Sequence, residues 1–148
     1  MLPLFGGAPD YLMKAVQVQQ LKAARFVCGY QSYFWSTKQL LQKCGWLSVK
    51  QQDFYSTTLL AHKRVSSSLP RNICADMVVP HGRNTRAAAQ GEIQYGQNYQ
   101  GFSELTRSSF KYRAQKYYSQ ITGVMKNKSL QAFKSSLKKH TAEKVSIR

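Results

Sequence analysis

The chain has 148 residues, 43% of them hydrophobic and 12% aromatic, which is the composition of one folded domain and not of a disordered tail. Its 22 Lys and Arg face only 6 Asp and Glu, a formal charge of +16 that repels itself in the compact state and that an anionic partner would relieve. No segment reaches the ~18 consecutive apolar residues of a bilayer span, and the opening MLPLFGGAP has no basic n-region, so neither a membrane protein nor a signal peptide is expected.

Residues 1–9 contain two prolines and Gly6-Gly7 and read as an irregular segment. Asp10 then suits the N-cap of a helix running to about Cys28, with Gly29 as its stop. Leu12, Val16, Ala23, Phe26 and Val27 recur at helical spacing and are expected to form its docking face, interrupted by Gln19, while Lys14, Gln17 and Arg25 group on the other side. Tyr30–Trp35 is an aromatic joint. Ser36 with Gln39 three residues later, and Ser48 with Gln51, each fit a capping box, with Gly45 stopping the short helix between them. The second box opens a longer helix from Val49 to about Val65, with Tyr55, Thr58, Leu59 and His62 inward, and Asp53 near its start and Lys63 and Arg64 near its end in the sense the helix dipole favours. Trp46 is expected to wedge into the core between these two helices.

Residues 10–70 thus predict a three-helix part closed by Ser66-Ser67-Ser68-Leu69-Pro70. From 71 to 105 periodicity fades among glycines and polar residues, which predicts a long connection with room for a short strand or β-hairpin at Glu92–Tyr95. Helical spacing returns in the basic 106–148 part with Phe110, Ala114, Tyr117/Tyr118 and Ile121. A last helix follows Ser129, with Leu130, Phe133 and Leu137 inward and Lys134, Lys138 and Lys139 outward. The expected fold class is mainly α, a single small helical domain.

Catalytic constellations are hard to find. The six carboxylates, Asp10, Asp53, Asp76, Glu92, Glu104 and Glu143, are scattered, whereas two-metal phosphoryl transfer needs them clustered. His62, His81 and His140 show no HExxH or HxE arrangement, and no glycine-rich phosphate loop is present. Cys28, Cys44 and Cys74 are odd in number and lack CxxC spacing, which argues against a disulfide framework or a zinc site and for reduced thiols in a nuclear or cytoplasmic chain. No cofactor, metal or small-molecule substrate is expected.

Nucleic-acid binding has more behind it. Phosphate is the commonest partner of such a charge excess, although a soluble basic surface without a specific ligand has the same composition. Thr106–Tyr118, TRSSFKYRAQKYY, interleaves Arg107, Lys111, Arg113 and Lys116 with four aromatics, so cations can meet phosphates while rings stack or pack inward. Asn84-Thr85-Arg86 is a second candidate contact. Lys134, Lys138 and Lys139 read equally as a solvated helix face.

Taken in order, QLKAARFVCG (Gln20–Gly29), LLQKCGWLSVKQQ (Leu40–Gln52), LAHKRVSSSLP (Leu60–Pro70), NTR (Asn84–Arg86), RSSFKYRAQKYY (Arg107–Tyr118) and SLQAFKSSLKKH (Ser129–His140) carry a resemblance. The chain resembles the C-terminal region, thumb and beyond, of reverse transcriptases from non-LTR (LINE-type) retrotransposons. The Asn and Pro that such proteins carry after the Ser-Phe segment are replaced here by Ser119-Gln120-Ile121-Thr122. The palm with its adjacent aspartates lies upstream in that family and is not in this sequence, so no catalysis by this chain is expected. What the resemblance implies is a helical module that rests on a primer–template or RNA duplex through backbone contacts without base readout.

The expected role is therefore non-catalytic, sequence-tolerant binding of an RNA or DNA backbone. Lys22, Arg25, Lys63, Arg64, Arg107, Lys111, Arg113, Lys134 and Lys138 are the candidate phosphate contacts, and an upstream polymerase segment or another protein is a further candidate partner. Two alternatives stay open: a basic scaffold that binds an acidic protein partner, and a retroelement remnant with no selected function.

Overall fold

A computed structural model of the chain describes residues 6–29, 34–66 and 109–144. It is mainly helical. Six helices are seen among the described residues: α1 (Asp10–Cys28), α2 (Thr37–Cys44), α3 (Val49–Val65), α4 (Phe110–Ser119), α5 (Gly123–Lys126) and α6 (Leu130–Lys144). The strand or hairpin expected within 92–95, and the 71–105 connection, lie outside the described residues.

The helix boundaries follow from local chemistry. At α2, the Ser36 side chain accepts from the Gln39 backbone N–H while the Gln39 side chain accepts from the Ser36 N–H, so each residue satisfies a donor of the other. Gly45 closes α2 in the left-handed region at φ 67°. Its N–H donates to Gln42 O and the Trp46 N–H donates to Leu41 O at 2.9 Å, the two backbone bonds of a Schellman stop. Ser48 and Gln51 repeat the reciprocal cap at the start of α3. Ser48→Ala should cost about 1 kcal/mol of unfolding free energy in a denaturant titration; a loss under about 0.3 kcal/mol would mean that other groups carry the start of α3.

Helix α3 is the centre of the molecule. It buries Val49, Gln51, Asp53, Phe54, Thr57, Thr58, Ala61 and His62 and touches α1, α4 and α6. The main core gathers Phe54, Ala61, Ala114, Tyr118, Ile121, Phe133 and Leu137, with Tyr55, Leu59, Phe110, Tyr117 and Met125 packed against it. The inward positions expected on α4 and α6 are found there except Leu130, which is half-buried outside this cluster. On α3, Thr58 and His62 are buried, and Tyr55 and Leu59 are half-buried against the core. Gln51 Nε2 donates to Thr141 O near the start of α3, whereas His62 near its end stacks on Phe133. Helices α3 and α6 therefore run antiparallel. The one-turn helix α5 between α4 and α6 has no counterpart among the elements expected from the sequence.

Three expectations are corrected. Pro9, not Asp10, occupies the N-cap of α1, and Asp10 is its first helical residue, bridging to Lys50 at 3.2 Å. The apolar stripe of α1 is not its docking face: Leu12, Val16, Phe26 and Val27 are exposed, Phe26 by 90%, while Met13 and Ala24 are buried. Gln17 and Gln20 turn inward because the joint before α3 needs polar partners. Gln17 Oε1 accepts from the Val49 N–H at 2.8 Å, and Gln20 Nε2 donates to Leu47 O at 2.7 Å. Trp46 is no core wedge either; it is 38% exposed and lines an open cleft.

Candidate nucleic-acid interface

The candidate cations fall into distinct environments. Arg113 is buried, and its guanidinium donates to Asp53 Oδ1 at 2.6 Å, an ion pair between α4 and α3. The expectation that Arg113 reaches a phosphate is therefore corrected: its charge is spent inside the protein. The same carboxylate accepts from Thr57 Oγ1 and Tyr117 Oη, each at 3.2 Å. Burial, and next the Asp53 charge, push the Tyr117 phenol up to about 12. Gly6 closes over this network so tightly that a Cβ there would collide with the Asp53 carboxylate and the Arg113 guanidinium.

Lys22 is exposed and Arg25 half-buried, both on α1. Lys111 is half-buried on α4, and Arg107 lies outside the described residues. Lys138 is exposed on α6 and lines the cleft of about 510 Å³ shared with Val16, Gln20, Trp46, Val49 and Tyr55.

Lys63, Arg64 and Lys134 are brought together at the other end of the α3–α6 pair. His62, just before Lys63, stacks on Phe133, just before Lys134, with ring centroids 3.8 Å apart and planes at 13°. The His62 Nδ1 also lies 3.4 Å from Tyr118 Oη. Lys126 Nζ sits over that same Tyr118 ring at 4.9 Å, and the backbone of Lys128 hydrogen-bonds His62. Five cations, Lys63, Arg64, Lys126, Lys128 and Lys134, thus belong to the end of the α3–α6 pair that holds this stack, with Lys126 over the Tyr118 ring and Lys128 joined to His62 through its backbone. Lys126 and Lys128 were not among the sequence candidates, although the run VMKNKS could have flagged them.

The described carboxylates sit elsewhere. Asp10 and Asp53 are engaged with Lys50 and Arg113 near the beginning of α3. Arg64 Nε is shielded from solvent and has no hydrogen-bond partner among the described residues.

His62 couples this end to pH. Burial lowers its pKa below the ordinary 6.5, opposed by the Lys128 backbone bond. The folded value lies below the unfolded one, so the native state binds fewer protons; stability is full above pH 6.5 and is lost as pH falls through the folded value. His62→Phe, which keeps a ring against Phe133, should flatten that acid limb of the stability curve. An unchanged slope below pH 6.5 in urea titrations would assign the acid sensitivity to other groups.

Among the described residues, no group of three or more His, Cys, Asp or Glu side chains is placed to hold a metal ion, and no helix is long and apolar enough to cross a membrane. Comparison with protein-family models, curated protein sequences and solved structures gives no match.

Proposed function

We propose that the chain is a non-catalytic nucleic-acid-binding module that holds an RNA or DNA backbone, derived from the thumb-side region of a non-LTR retrotransposon reverse transcriptase. The observation that carries the reading is the five-cation end of the α3–α6 pair. Lys63, Arg64, Lys126, Lys128 and Lys134 all belong to the end of the pair where His62 stacks on Phe133, while Asp10 and Asp53 are engaged at the opposite end of α3. The four lysines suit phosphates as point charges, and only Arg64 carries a planar fork of the kind that reads base edges. Sequence tolerance follows. The net charge of +16 supports long-range attraction of the same partner. The test is a fluorescence-anisotropy titration with single-stranded and duplex RNA and DNA across a salt series. Affinity that falls steeply with salt and depends little on sequence is the expected result, and a flat salt dependence would sink the reading.

A second observation favours a protein contact in addition. The exposed apolar positions Leu12, Val16, Phe26 and Val27 on α1 form the kind of surface that in a folded protein marks an interaction site. In this reading α1 rests against another protein, such as a polymerase segment, while the cationic end holds the nucleic acid.

A further inference from the structure

We propose that Cys28 and Cys44 are a redox modification site that closes to an intramolecular disulfide, stapling the end of α1 to the end of α2. The two thiols stand sixteen positions apart in sequence, yet their sulfurs are 3.1 Å from each other. Each is the last residue of its helix, followed by a glycine at positive φ: Gly29 at 75° and Gly45 at 67°. Packing of α1 against α2 holds the two helix ends near one another before any bond forms. A disulfide needs the sulfurs at about 2.05 Å, so closure asks for roughly 1 Å of approach, within the reach of side-chain rotation at two helix termini. Both residues are half-buried and free, which leaves room for a small oxidant to reach them.

The local chemistry agrees with a thiol pair and not with a metal site. Cys44 Sγ also approaches Ala24 O at 3.8 Å, a weak S–H interaction that closure gives up. The hydrogen bond with Cys28, with burial adding to it, pushes the Cys44 thiol above its ordinary range, so closure should quicken as pH rises. No third ligand is placed beside the pair among the described residues.

The reaction is a two-step exchange with a low-molecular-weight disulfide of the oxidised-glutathione class. One protein thiolate attacks a sulfur of that disulfide, forming a mixed disulfide and releasing one small thiolate. The second protein thiolate then attacks the protein-side sulfur and releases the other. Two protein S–H bonds and one small-molecule S–S bond are exchanged for one protein S–S bond and two small thiols. The protein pair is oxidised by two electrons and the small disulfide is reduced.

The full chain carrying Cys74→Ser is reduced, equilibrated in glutathione buffers of graded redox ratio, quenched with N-ethylmaleimide and mapped by mass spectrometry. The expected result is a Cys28–Cys44 cross-linked peptide as the main oxidised species, reversed by dithiothreitol. An accompanying rise in Tm of roughly 5–10 °C is expected from constraining the unfolded chain. Repetition with Cys74 intact should give the same pair. Mixed glutathione adducts that never close, a dominant pairing with Cys74, or a cross-link without a Tm rise would each overturn the proposal. Because the readouts are a cross-link and a melting temperature, the outcome is independent of whether the chain binds nucleic acid.

Discussion

Asp53→Ala is expected to be the most damaging single substitution among the described residues, costing about 3–5 kcal/mol of unfolding free energy. The carboxylate is only 2% exposed and receives Arg113, Thr57 and Tyr117. Removing it leaves the guanidinium, itself 6% exposed, without its Asp53 counter-charge between α3 and α4. The cost comes from burying the guanidinium without the Asp53 carboxylate and not from the attraction of the pair, because desolvating two ions offsets most of their mutual Coulomb energy. The distinction can be measured. Replacing both partners, Asp53→Leu with Arg113→Met, should recover most of the loss, whereas Arg113→Met alone should be nearly as harmful as Asp53→Ala. If the double variant is no better than the single ones, the network does more than neutralise charge, and the hydroxyls of Thr57 and Tyr117 would be the groups to examine next. Denaturant titration of the wild type, Asp53→Leu, Arg113→Met and the double variant completes the cycle.

The second large effect concerns binding. Changing Lys63, Arg64, Lys126, Lys128 and Lys134 together to alanine should lower the slope of log affinity against log salt by about 4–5, near one unit for each phosphate that no longer has its cation. Affinity at low salt should fall on the order of a hundredfold or more. The five positions are half-buried or exposed, so the fold should survive, which a cooperative melt would show. A control with the distant Lys14 and Lys38 changed to alanine removes charge without touching this end and should move the slope far less. An equal change of slope per cation removed in the two variants would mean that the whole charge of the chain, and not a site, attracts the nucleic acid. Arg113 is left out of both sets because its removal would act through stability.

Features set by near neighbours were legible in the sequence, and features set by distant ones were not. Capping boxes are local: Ser36 with Gln39 and Ser48 with Gln51 satisfy backbone groups within one turn, so three-residue spacing was enough to place them. The same holds for Gly45, whose left-handed conformation follows from the stop it makes. Period also located the inner faces of α4 and α6, where Ala114, Tyr118, Phe133 and Leu137 are fully or almost fully buried. On α1 the period was present and misled, because the stripe of Leu12, Val16, Phe26 and Val27 records which side is apolar and not which side is covered. The covered side is polar at Gln17 and Gln20, whose partners Val49 N and Leu47 O lie about thirty positions away.

The site divides in the same way. Composition pointed to an anionic partner, since net charge is a sum that needs no coordinates. Which cations are placed to meet it was a tertiary question. Arg113 and Lys111 stand two residues apart in one basic segment, yet one is buried against Asp53, sixty positions away, and the other remains half-exposed. That Lys63 and Arg64 share one end of the molecule with Lys134 likewise follows from the packing of α3 on α6, where His62 stacks on Phe133. The sequence by itself determined the long helices, most of their ends and the sign of the chain's own charge, all of which depend on neighbours within a turn or on a sum over the chain. Only the tertiary structure decided which apolar face is covered, which cation is neutralised and which two thiols meet, because each depends on groups that burial brings together from distant positions.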